Sequence, residues 1–204
     1  MYSIVLFDLG DVLASYDPRP RIAAYARAAD LEEAEVRARL RRGGFGDDCD
    51  RGVYSAEQMH REICQRLEHA FSREELLSLE AAAFRVQSEV LAIASTVASR
   101  VRTGILTNNG PLLEETFPVH FPELVAALEP ILISYQFNHM KADRGLFDAV
   151  STSIGINPGE ILFIDDKALH VSLARDSGWQ AEQFVSASQL RGALVARGLI
   201  EDAA

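Results

Sequence analysis

The stretch IVLFDLGDVL, residues 4–13, decides the fold of this chain because it joins an apolar segment directly to a polar turn. Ile4 to Phe7 is an uninterrupted apolar run rich in β-formers, which predicts a strand buried on both faces of a parallel sheet. Asp8, Gly10 and Asp11 follow at once. Open α/β sheets bind ligands at the carboxyl ends of their strands, so these carboxylates are candidate site residues. A strand ending in an ordinary polar turn is the alternative for this stretch taken alone.

Length and composition place the chain among globular proteins. With 204 residues, 48% of them hydrophobic and 25% charged, it can bury one substantial core and a small insert. The formal net charge of −10 argues against binding to nucleic acid or to an anionic membrane, since both require a basic surface. A small anionic substrate in a local basic pocket remains compatible with this charge.

Cysteine usage and the N-terminal sequence indicate where the protein works. Cys49 and Cys64 lack the spacing of a metal or redox site, so we expect free thiols in a reducing compartment. No basic segment followed by an apolar stretch opens the chain, and no apolar run is long enough to span a bilayer. We therefore expect a cytoplasmic location.

The sequence of residues 16–87 predicts helices and no strand. Ser55 followed by Gln58, and Ser72 followed by Glu75, are capping-box signatures that predict two helix starts. The glycine-rich stretch 43–52 predicts a loop between helices, with either a role in substrate choice or that of a plain connection.

From residue 88 onward, strands and helices alternate, which implies right-handed crossovers and a parallel sheet. The sequence predicts strands at 101–107, 131–134 and 160–164, and a weaker strand near 181–185. The predicted fold class is therefore α/β: a Rossmann-like three-layer parallel sheet core with an inserted all-helical cap. We assign residues 1–15 and 88–204 to the core and residues 16–87 to the cap.

Polar groups end three of the predicted strands. They are Asp8, Thr107 with Asn108, and Asp165 with Asp166; Lys141 lies in a loop between the last two strands. Because the carboxyl ends of parallel strands share one edge of the sheet, these groups can converge. A carboxylate nucleophile, a hydroxyl, a lysine and a carboxylate pair suit Mg²⁺-assisted phosphoryl transfer.

Four motifs of this chain resemble, in order, those of the haloacid dehalogenase superfamily. They are residues 7–13 (FDLGDVL), 105–108 (ILTN), 141–143 (KAD) with Phe147, and 163–166 (FIDD). The helical insert after the first motif resembles the all-helical cap of that superfamily. Each motif alone is short, but four in order over nearly the whole chain form a specific pattern.

The resemblance implies a role for each motif residue. Asp8 would be the nucleophile that forms an aspartyl-phosphate intermediate, and Lys141 would neutralise the nucleophile and the phosphate. Thr107 and the backbone at Asn108 would hold phosphoryl oxygens. Mg²⁺ would be held by Asp8, the backbone carbonyl of Gly10, Asp165 and Asp166.

One position departs from the common phosphatase pattern. Most phosphatases of the superfamily carry a second Asp two residues after the nucleophile, as general acid and base, whereas this chain has Gly10. Asp11 follows one position later and points differently, so it is not expected to replace that Asp. Gly at this position also resembles a branch that includes sugar-1-phosphate hydrolases. Dehalogenases of the superfamily lack the second Asp too and need no metal, but they usually have an aromatic residue there.

We therefore expect a Mg²⁺-dependent phosphatase that hydrolyses a small phosphate monoester such as a sugar phosphate. One alternative is a metal-independent 2-haloacid dehalogenase, and another is a catalytically silent protein that binds a phosphometabolite. The expected partner is a small phosphorylated metabolite, not nucleic acid or a membrane, and the oligomeric state is left open. His170 reads as a helix-surface residue, with a hydrogen bond to the site as its alternative, and Trp179 as a core residue.

Overall fold

The computed structural model describes residues 1–201, in which a five-stranded sheet and eleven α-helices account for most of the chain. The strands are β1 (Ile4–Phe7), β2 (Ala14–Tyr16), β3 (Phe84–Val86), β4 (Arg102–Thr107), β5 (Ile131–Ile133), β6 (Ile161–Asp165) and β7 (Gln180–Gln183). The helices are α1 (Pro18–Ala29), α2 (Glu33–Arg41), α3 (Phe45–Asp50), α4 (Ala56–Leu67), α5 (Arg73–Ala81), α6 (Ser88–Ala98), α7 (Leu112–His120), α8 (Pro122–Ala127), α9 (Arg144–Ile154), α10 (Ala168–Asp176) and α11 (Ala187–Ala196). Within residues 1–201, none of these helices has the length and apolar character needed to cross a membrane.

The main sheet has the order β5-β4-β1-β6-β7, and all its pairings are parallel. β1 is the central strand, and its four residues are fully buried. Val5 and Phe7 pack on one face of the sheet, while Ile4 and Leu6 pack on the other, as the two-residue period of a strand requires. The prediction of a strand buried on both faces is confirmed.

Helices cover both faces of the sheet. On the Val5 side the core includes apolar residues of α6, α7, α8 and α11, and on the Ile4 side it includes residues of α9 and α10. Trp179 belongs to the second core, as predicted, and its indole N–H donates to Ser151 Oγ at 2.8 Å. This three-layer α/β arrangement confirms the predicted fold class.

Helices α1 to α5 follow one another between β2 and β3 and enclose an apolar core of their own. That core contains Tyr25, Phe45 and Leu67, and Leu112 of α7 joins it from the sheet side. Both capping boxes predicted for this segment are present, at Ser55 and Ser72. The packing is what an inserted cap requires, and the domain division at residues 16 and 87 stays a prediction.

Two details of this segment differ from the sequence-based expectation. Residues 84–86 form strand β3, which pairs antiparallel with β2; three residues whose partner lies 70 positions earlier leave no readable pattern. The stretch 43–52 is not simply a loop, since a 3-10 turn over Arg42–Gly44 leads into helix α3. Phe45 and Cys49, one helical turn apart, are both buried, and this burial favours a helix despite the glycines.

A substitution at Gly104 tests the packing of the central sheet. A Cβ at this position would lie 2.4 Å from the carbonyl oxygen of Pro130 and 2.9 Å from its Cδ. We expect Gly104→Ala to lower the free energy of unfolding by about 1–3 kcal/mol, because the backbone must shift to admit the methyl group. Urea denaturation measures the change. Gly159→Ala is the matched control, since nothing lies within 4 Å of its Cβ position, and an equal effect of both substitutions would contradict this account.

Candidate active site

Two of the strand-end groups predicted from the sequence, Asp8 and Asp165, meet at one lysine. Lys141 Nζ lies 2.6 Å from Asp8 Oδ2, just beyond β1, and 2.7 Å from Oδ2 of Asp165, the last residue of β6. All three side chains are buried; the exposed fraction of Lys141 is 2%. The register of β1 against β6 pairs Phe7 with Ile164, which places Asp8 and Asp165 side by side at the same sheet edge. One buried ammonium thus bridges two buried carboxylates.

Asn108 connects the second and third motifs. Its side-chain Oδ1 accepts a hydrogen bond from the backbone N–H of Lys141 at 2.8 Å, which fixes the start of the lysine side chain. Asn108 directly follows β4, the neighbour of β1 in the sheet. The bond therefore ties the lysine loop to the edge at which Asp8 lies. A contribution of the Asn108 side chain was not part of the sequence-based prediction, which used its backbone.

Burial and mutual charge shift the pKa values of these groups in different directions. Burial raises the pKa of Asp8 to about 6, and the repulsion of Asp165 adds to this, although the Lys141 charge opposes both. Burial would also raise the pKa of Asp165, but the hydrogen bond from His170 and the charge of Lys141 lower it well below its usual range. Burial would lower the pKa of Lys141, but the two carboxylates raise it. The lysine therefore stays charged at neutral pH.

A carboxylate cluster at this edge fits a hard divalent cation. Oxygen atoms of Asp8, Asp165 and Asp166 lie within 4.8 Å of one another, and carboxylate oxygens are the ligands that Mg²⁺ prefers. Asp166 Oδ1 is enclosed and has no hydrogen-bond partner, which is costly unless a cation or a ligand completes it. Burial and the neighbouring Asp165 raise the pKa of Asp166. This orphaned oxygen is the observation that favours a metal ion here.

Asp165 is the most fully bonded member of that cluster. Its oxygens accept hydrogen bonds from Lys141 Nζ at 2.7 Å, the backbone N–H of Lys167 at 2.8 Å and His170 Nδ1 at 3.0 Å. Little acceptor capacity remains for a cation. Of the two adjacent aspartates, Asp166 therefore offers the freer ligand atom.

The sequence-based prediction that His170 lies on the helix surface is wrong. Its exposed fraction is 5%, and Nδ1 contacts both oxygens of Asp165 at 3.0 and 3.1 Å. The alternative reading, a hydrogen bond to the site, is the one that the geometry confirms. The available signal was its position four residues after Asp166, on the first turn of α10.

Thr107 ends β4 and is also buried, with an exposed fraction of 2%. Its Oγ1 accepts a hydrogen bond from Asn109 Nδ2 at 3.0 Å. Ser134, which follows β5, contacts the loop that begins after Thr107. Its Oγ accepts a hydrogen bond from the backbone N–H of Asn109 at 3.1 Å. Sequence reasoning missed both Asn109 and Ser134. The serine contacts residues that are far away along the chain, and nothing local to it indicates that.

The turn after the first motif has an unusual backbone. Asp11 adopts a positive φ of 60°, a conformation that Asp tolerates better than most residues. Its N–H donates to the carbonyl of Ala14, and its Oδ1 accepts from the backbone N–H of Tyr16 at 3.0 Å. The Asp11 side chain is therefore engaged in holding the turn that leads into β2. Gly10 stands at the start of this turn.

A cavity of about 540 Å³ opens above the strand ends. The strand edge supplies part of its lining, including Asp8, Gly10, Thr107, Asn108 and Lys141. The inserted helices supply the rest, including Arg21, Arg37, Arg41, Asp50 and Glu80. The volume suits a small-molecule ligand. Five of the seven predicted site residues line the cavity at the end formed by the sheet; Asp165 and Asp166 are not in its lining.

Two known phosphatases resemble this chain in sequence over most of its length. No family model matches the chain. A D-ribitol-5-phosphate phosphatase of Bacteroides thetaiotaomicron is 20% identical over 190 residues, covering 90% of this chain and 92% of that protein. A phosphatase of Mycobacterium tuberculosis is 26% identical over 201 residues, covering 95% of this chain and 92% of that protein.

Several solved structures have the same fold as this chain. A HAD-like family hydrolase of Porphyromonas gingivalis superposes with a TM-score of 0.77 at 21% identity, covering 99% of this chain and 100% of that one. A HAD family enzyme of Bacteroides thetaiotaomicron, in complex with magnesium and inorganic phosphate, gives a TM-score of 0.75 at 18% identity, covering 90% and 94%. The chain has the fold of the haloacid dehalogenase superfamily. The resemblance predicted from the four motifs is thereby confirmed.

A dehalogenase is also among the structural neighbours. L-2-haloacid dehalogenase of Xanthobacter autotrophicus superposes with a TM-score of 0.61 at 16% identity, covering 96% of this chain and 83% of that one. At these identities, the likeness to this dehalogenase and the likeness to the magnesium complex both concern the fold. The roles assigned to the individual site residues stay predictions.

Lys141→Met tests the charge balance of the site through stability. The substitution leaves Asp8 and Asp165 buried without their shared cation, so we expect a loss of about 3–5 kcal/mol of unfolding free energy at pH 8. The pKa of Asp8, already about 6 beside the lysine, would rise further. The folded variant then binds protons that the unfolded chain releases, and its stability falls as pH increases through that range.

Urea denaturation at pH 5 and pH 8 measures this effect, and the deficit should be smaller at pH 5. Lys167→Met is the matched control, because Lys167 is the other lysine of the sequence and its side chain is exposed. We expect that control to change stability by less than about 0.5 kcal/mol. A deficit for Lys141→Met that does not depend on pH would mean that the lysine stabilises the fold by packing alone.

Proposed function

We propose that this chain is a Mg²⁺-dependent phosphatase that hydrolyses a small phosphate monoester, such as a sugar phosphate, through an aspartyl-phosphate. The observation that carries the proposal is the buried Lys141 bridge between two carboxylates, beside an enclosed Asp166 oxygen without a partner. The curated relatives named as phosphatases support the same class of reaction.

Each strand-end group has a part in this proposal. Asp8, as a carboxylate, is the nucleophile, and the backbone N–H of Leu9 holds its Oδ1 at 2.7 Å. Lys141 offsets charge on Asp8 and on the phosphate. Thr107 and the backbone at Asn108 bind phosphoryl oxygens. Asp8, the Gly10 carbonyl, Asp165 and Asp166 would hold Mg²⁺, which would supply further charge stabilisation when bound.

The reaction proceeds in two displacements at phosphorus. A carboxylate oxygen of Asp8 forms a bond to phosphorus while the bond from phosphorus to the ester oxygen breaks, and the leaving oxygen takes up a proton from solvent water. Water then attacks the phosphorus of the aspartyl-phosphate, which releases inorganic phosphate and restores the Asp8 carboxylate. Covalent catalysis of this kind divides one difficult step into two easier ones.

The helical segment 16–87 acts in this proposal as the cap of the site. Its helices line the cavity opposite the strand ends, so a bound substrate would be enclosed between the two. Enclosure excludes water from the reacting groups and strengthens the electrostatic interactions within the site. The core, residues 1–15 and 88–204, would then provide the chemistry, and the cap would contact the leaving group.

Asp8→Asn tests the nucleophile. We expect it to reduce kcat on p-nitrophenyl phosphate by at least about 10³-fold, because an amide cannot displace the ester oxygen. Mg²⁺ should be required, so EDTA should abolish turnover by the unaltered chain and added Mg²⁺ should restore it. Asp176→Asn, at an exposed carboxylate at the end of α10, is the control and should keep full activity.

Other outcomes of these assays would favour a different function. Release of chloride from 2-chloropropionate in the presence of EDTA would indicate a dehalogenase instead of a phosphatase. Binding of phosphate analogues without hydrolysis across a broad panel of phosphometabolites would indicate a silent binding protein. Turnover that survives in Asp8→Asn would exclude Asp8 as the nucleophile.

Gly10 leads to a prediction about leaving groups. Without a carboxylic acid at that position, the leaving oxygen must bear more of its developing charge, so esters of more acidic alcohols should react faster. We expect kcat/KM for p-nitrophenyl phosphate or an anomeric sugar phosphate to exceed that for glycerol phosphate. Steady-state kinetics on the three substrates measure the ratio, and equal values for aryl and glycerol esters would show that another group supplies the proton.

A further inference from the structure

Asp50 stands out on the cap side of the cavity because its carboxylate has no partner. It is the last residue of α3 and lines the same cavity as Asp8. None of the hydrogen bonds or ion pairs among residues 1–201 involves its side-chain oxygens. The nearby Glu80, in contrast, is fully engaged: Arg21 Nη1 lies 2.7 Å from one of its oxygens, and the hydroxyl of Tyr25 donates to the other at 2.8 Å.

The backbone of Asp50 is held firmly against the sheet edge. Its carbonyl oxygen accepts a hydrogen bond from Ser134 Oγ at 2.7 Å, and the same oxygen atom of Ser134 accepts the backbone N–H of Asn109 at 3.1 Å. A Cβ on Gly110 would lie only 3.0 Å from Cys49 Cβ, so helix α3 and the loop that follows β4 are in close contact. Asp50 is thus positioned relative to Thr107 and Asn108 by short contacts that leave its carboxylate free.

The surroundings of Asp50 are unfavourable for a charge. Burial raises its pKa to about 7, and the repulsion of Asp47 on the same helix and of Glu80 on α5 adds to this, while Arg21 on α1 opposes it. A half-buried carboxylate that the fold leaves unpaired, in a cavity of ligand size, is suited to a donor on a bound molecule.

The chemistry of the cavity restricts what that donor is. Above pH 7, where Asp50 is mainly ionised, its carboxylate only accepts hydrogen bonds, so the ligand must offer O–H or N–H groups. The lining of the cavity carries charges of both signs, with Arg37 and Arg41 positive and Asp47 and Glu80 negative, so it selects neither a cationic nor an anionic group beside Asp50. A neutral hydroxyl, which can donate to Asp50 and accept from a guanidinium, suits a lining of this kind.

We infer that Asp50 is a specificity-determining residue that accepts a hydrogen bond from a hydroxyl of the leaving group. The substrate class is accordingly a phosphate monoester whose alcohol carries further hydroxyl groups away from the ester oxygen. This inference rests on the proposed function of the site, and it concerns recognition of the leaving group, not the transfer of the phosphoryl group.

Calorimetric titration with two phosphonates tests the inference without requiring turnover. One is the phosphonate analogue of a pentitol phosphate, and the other is pentylphosphonate, which has the same chain length but no hydroxyls. The unaltered chain, with Mg²⁺ present, should bind the hydroxylated compound about tenfold to hundredfold more tightly, as a hydrogen bond to a charged group allows. Asp50→Leu should remove this preference, and Asp50→Asn, which keeps an acceptor oxygen, should retain part of it.

Asp48→Asn is the matched control, because Asp48 lies on the same helix but not in the lining of the cavity; it should leave both affinities unchanged. Equal affinities of the unaltered chain for the two phosphonates, or equal losses of both in Asp50→Leu, would overturn the inference. Hydrolysis of p-nitrophenyl phosphate by the same unaltered chain tests the proposed phosphatase separately, since that compound has no hydroxyl to engage Asp50.

Thermal unfolding provides a second test of the inference about Asp50. Because the pKa of Asp50 lies above its ordinary value in the folded chain, the folded state holds an extra proton between about pH 4 and pH 7, and its stability declines as pH rises through that window. Asp50→Asn removes this penalty, so its Tm should exceed that of the unaltered chain at pH 8 and match it at pH 4. A lower Tm at pH 8 would show that Asp50 stabilises the fold, and would overturn the inference.

Discussion

The structure depends most on how it accommodates charge at the end of its central strand. Asp8 and Asp165 are buried beside an apolar sheet, and a buried carboxylate is costly unless it is paired. Lys141 pairs with both at hydrogen-bond distance, so one cation stabilises two anions. With Asp166 also ionised, the cluster holds three carboxylates and one ammonium. The excess of two negative charges matches the charge of a divalent cation, which is an electrostatic reason for the proposed Mg²⁺.

This charge arrangement constrains the whole sheet. β1 pairs with both β4 and β6, and the pairing of Phe7 with Ile105 and with Ile164 sets Asp8 beside the ends of both neighbours. A slip of one residue in either pairing would turn the side chains to the opposite face and separate Asp8 from its partners. The apolar residues of β1, fully buried on both faces, fix that register. The register that packs the core is thus the same register that aligns Asp8 with its partners in the site.

The parts of the fold that could be predicted are those with a local signal. A continuous apolar run such as Ile4–Phe7 identifies a buried strand, and a polar group directly after it identifies the sheet edge. Strand β3 and the contacts of Ser134 depend on partners at least 25 residues away, and no local pattern encodes these. His170 is intermediate: its spacing from Asp166 was visible, but which face of α10 meets Asp165 is decided by packing. The domain limits and the roles of the site residues remain predictions.

The two walls of the cavity use their polar groups differently. At the strand ends, Oδ1 of Asp166 is enclosed and has no hydrogen-bond partner; on the cap side, the carboxylate of Asp50 is half-buried and has no partner within residues 1–201. Unsatisfied acceptors are costly, and a fold retains them most readily where a bound group completes them. In our proposals the first acceptor takes a cation and the second a hydroxyl of the leaving group. The phosphoryl group would lie between them, with one end held by the core and the other by the cap.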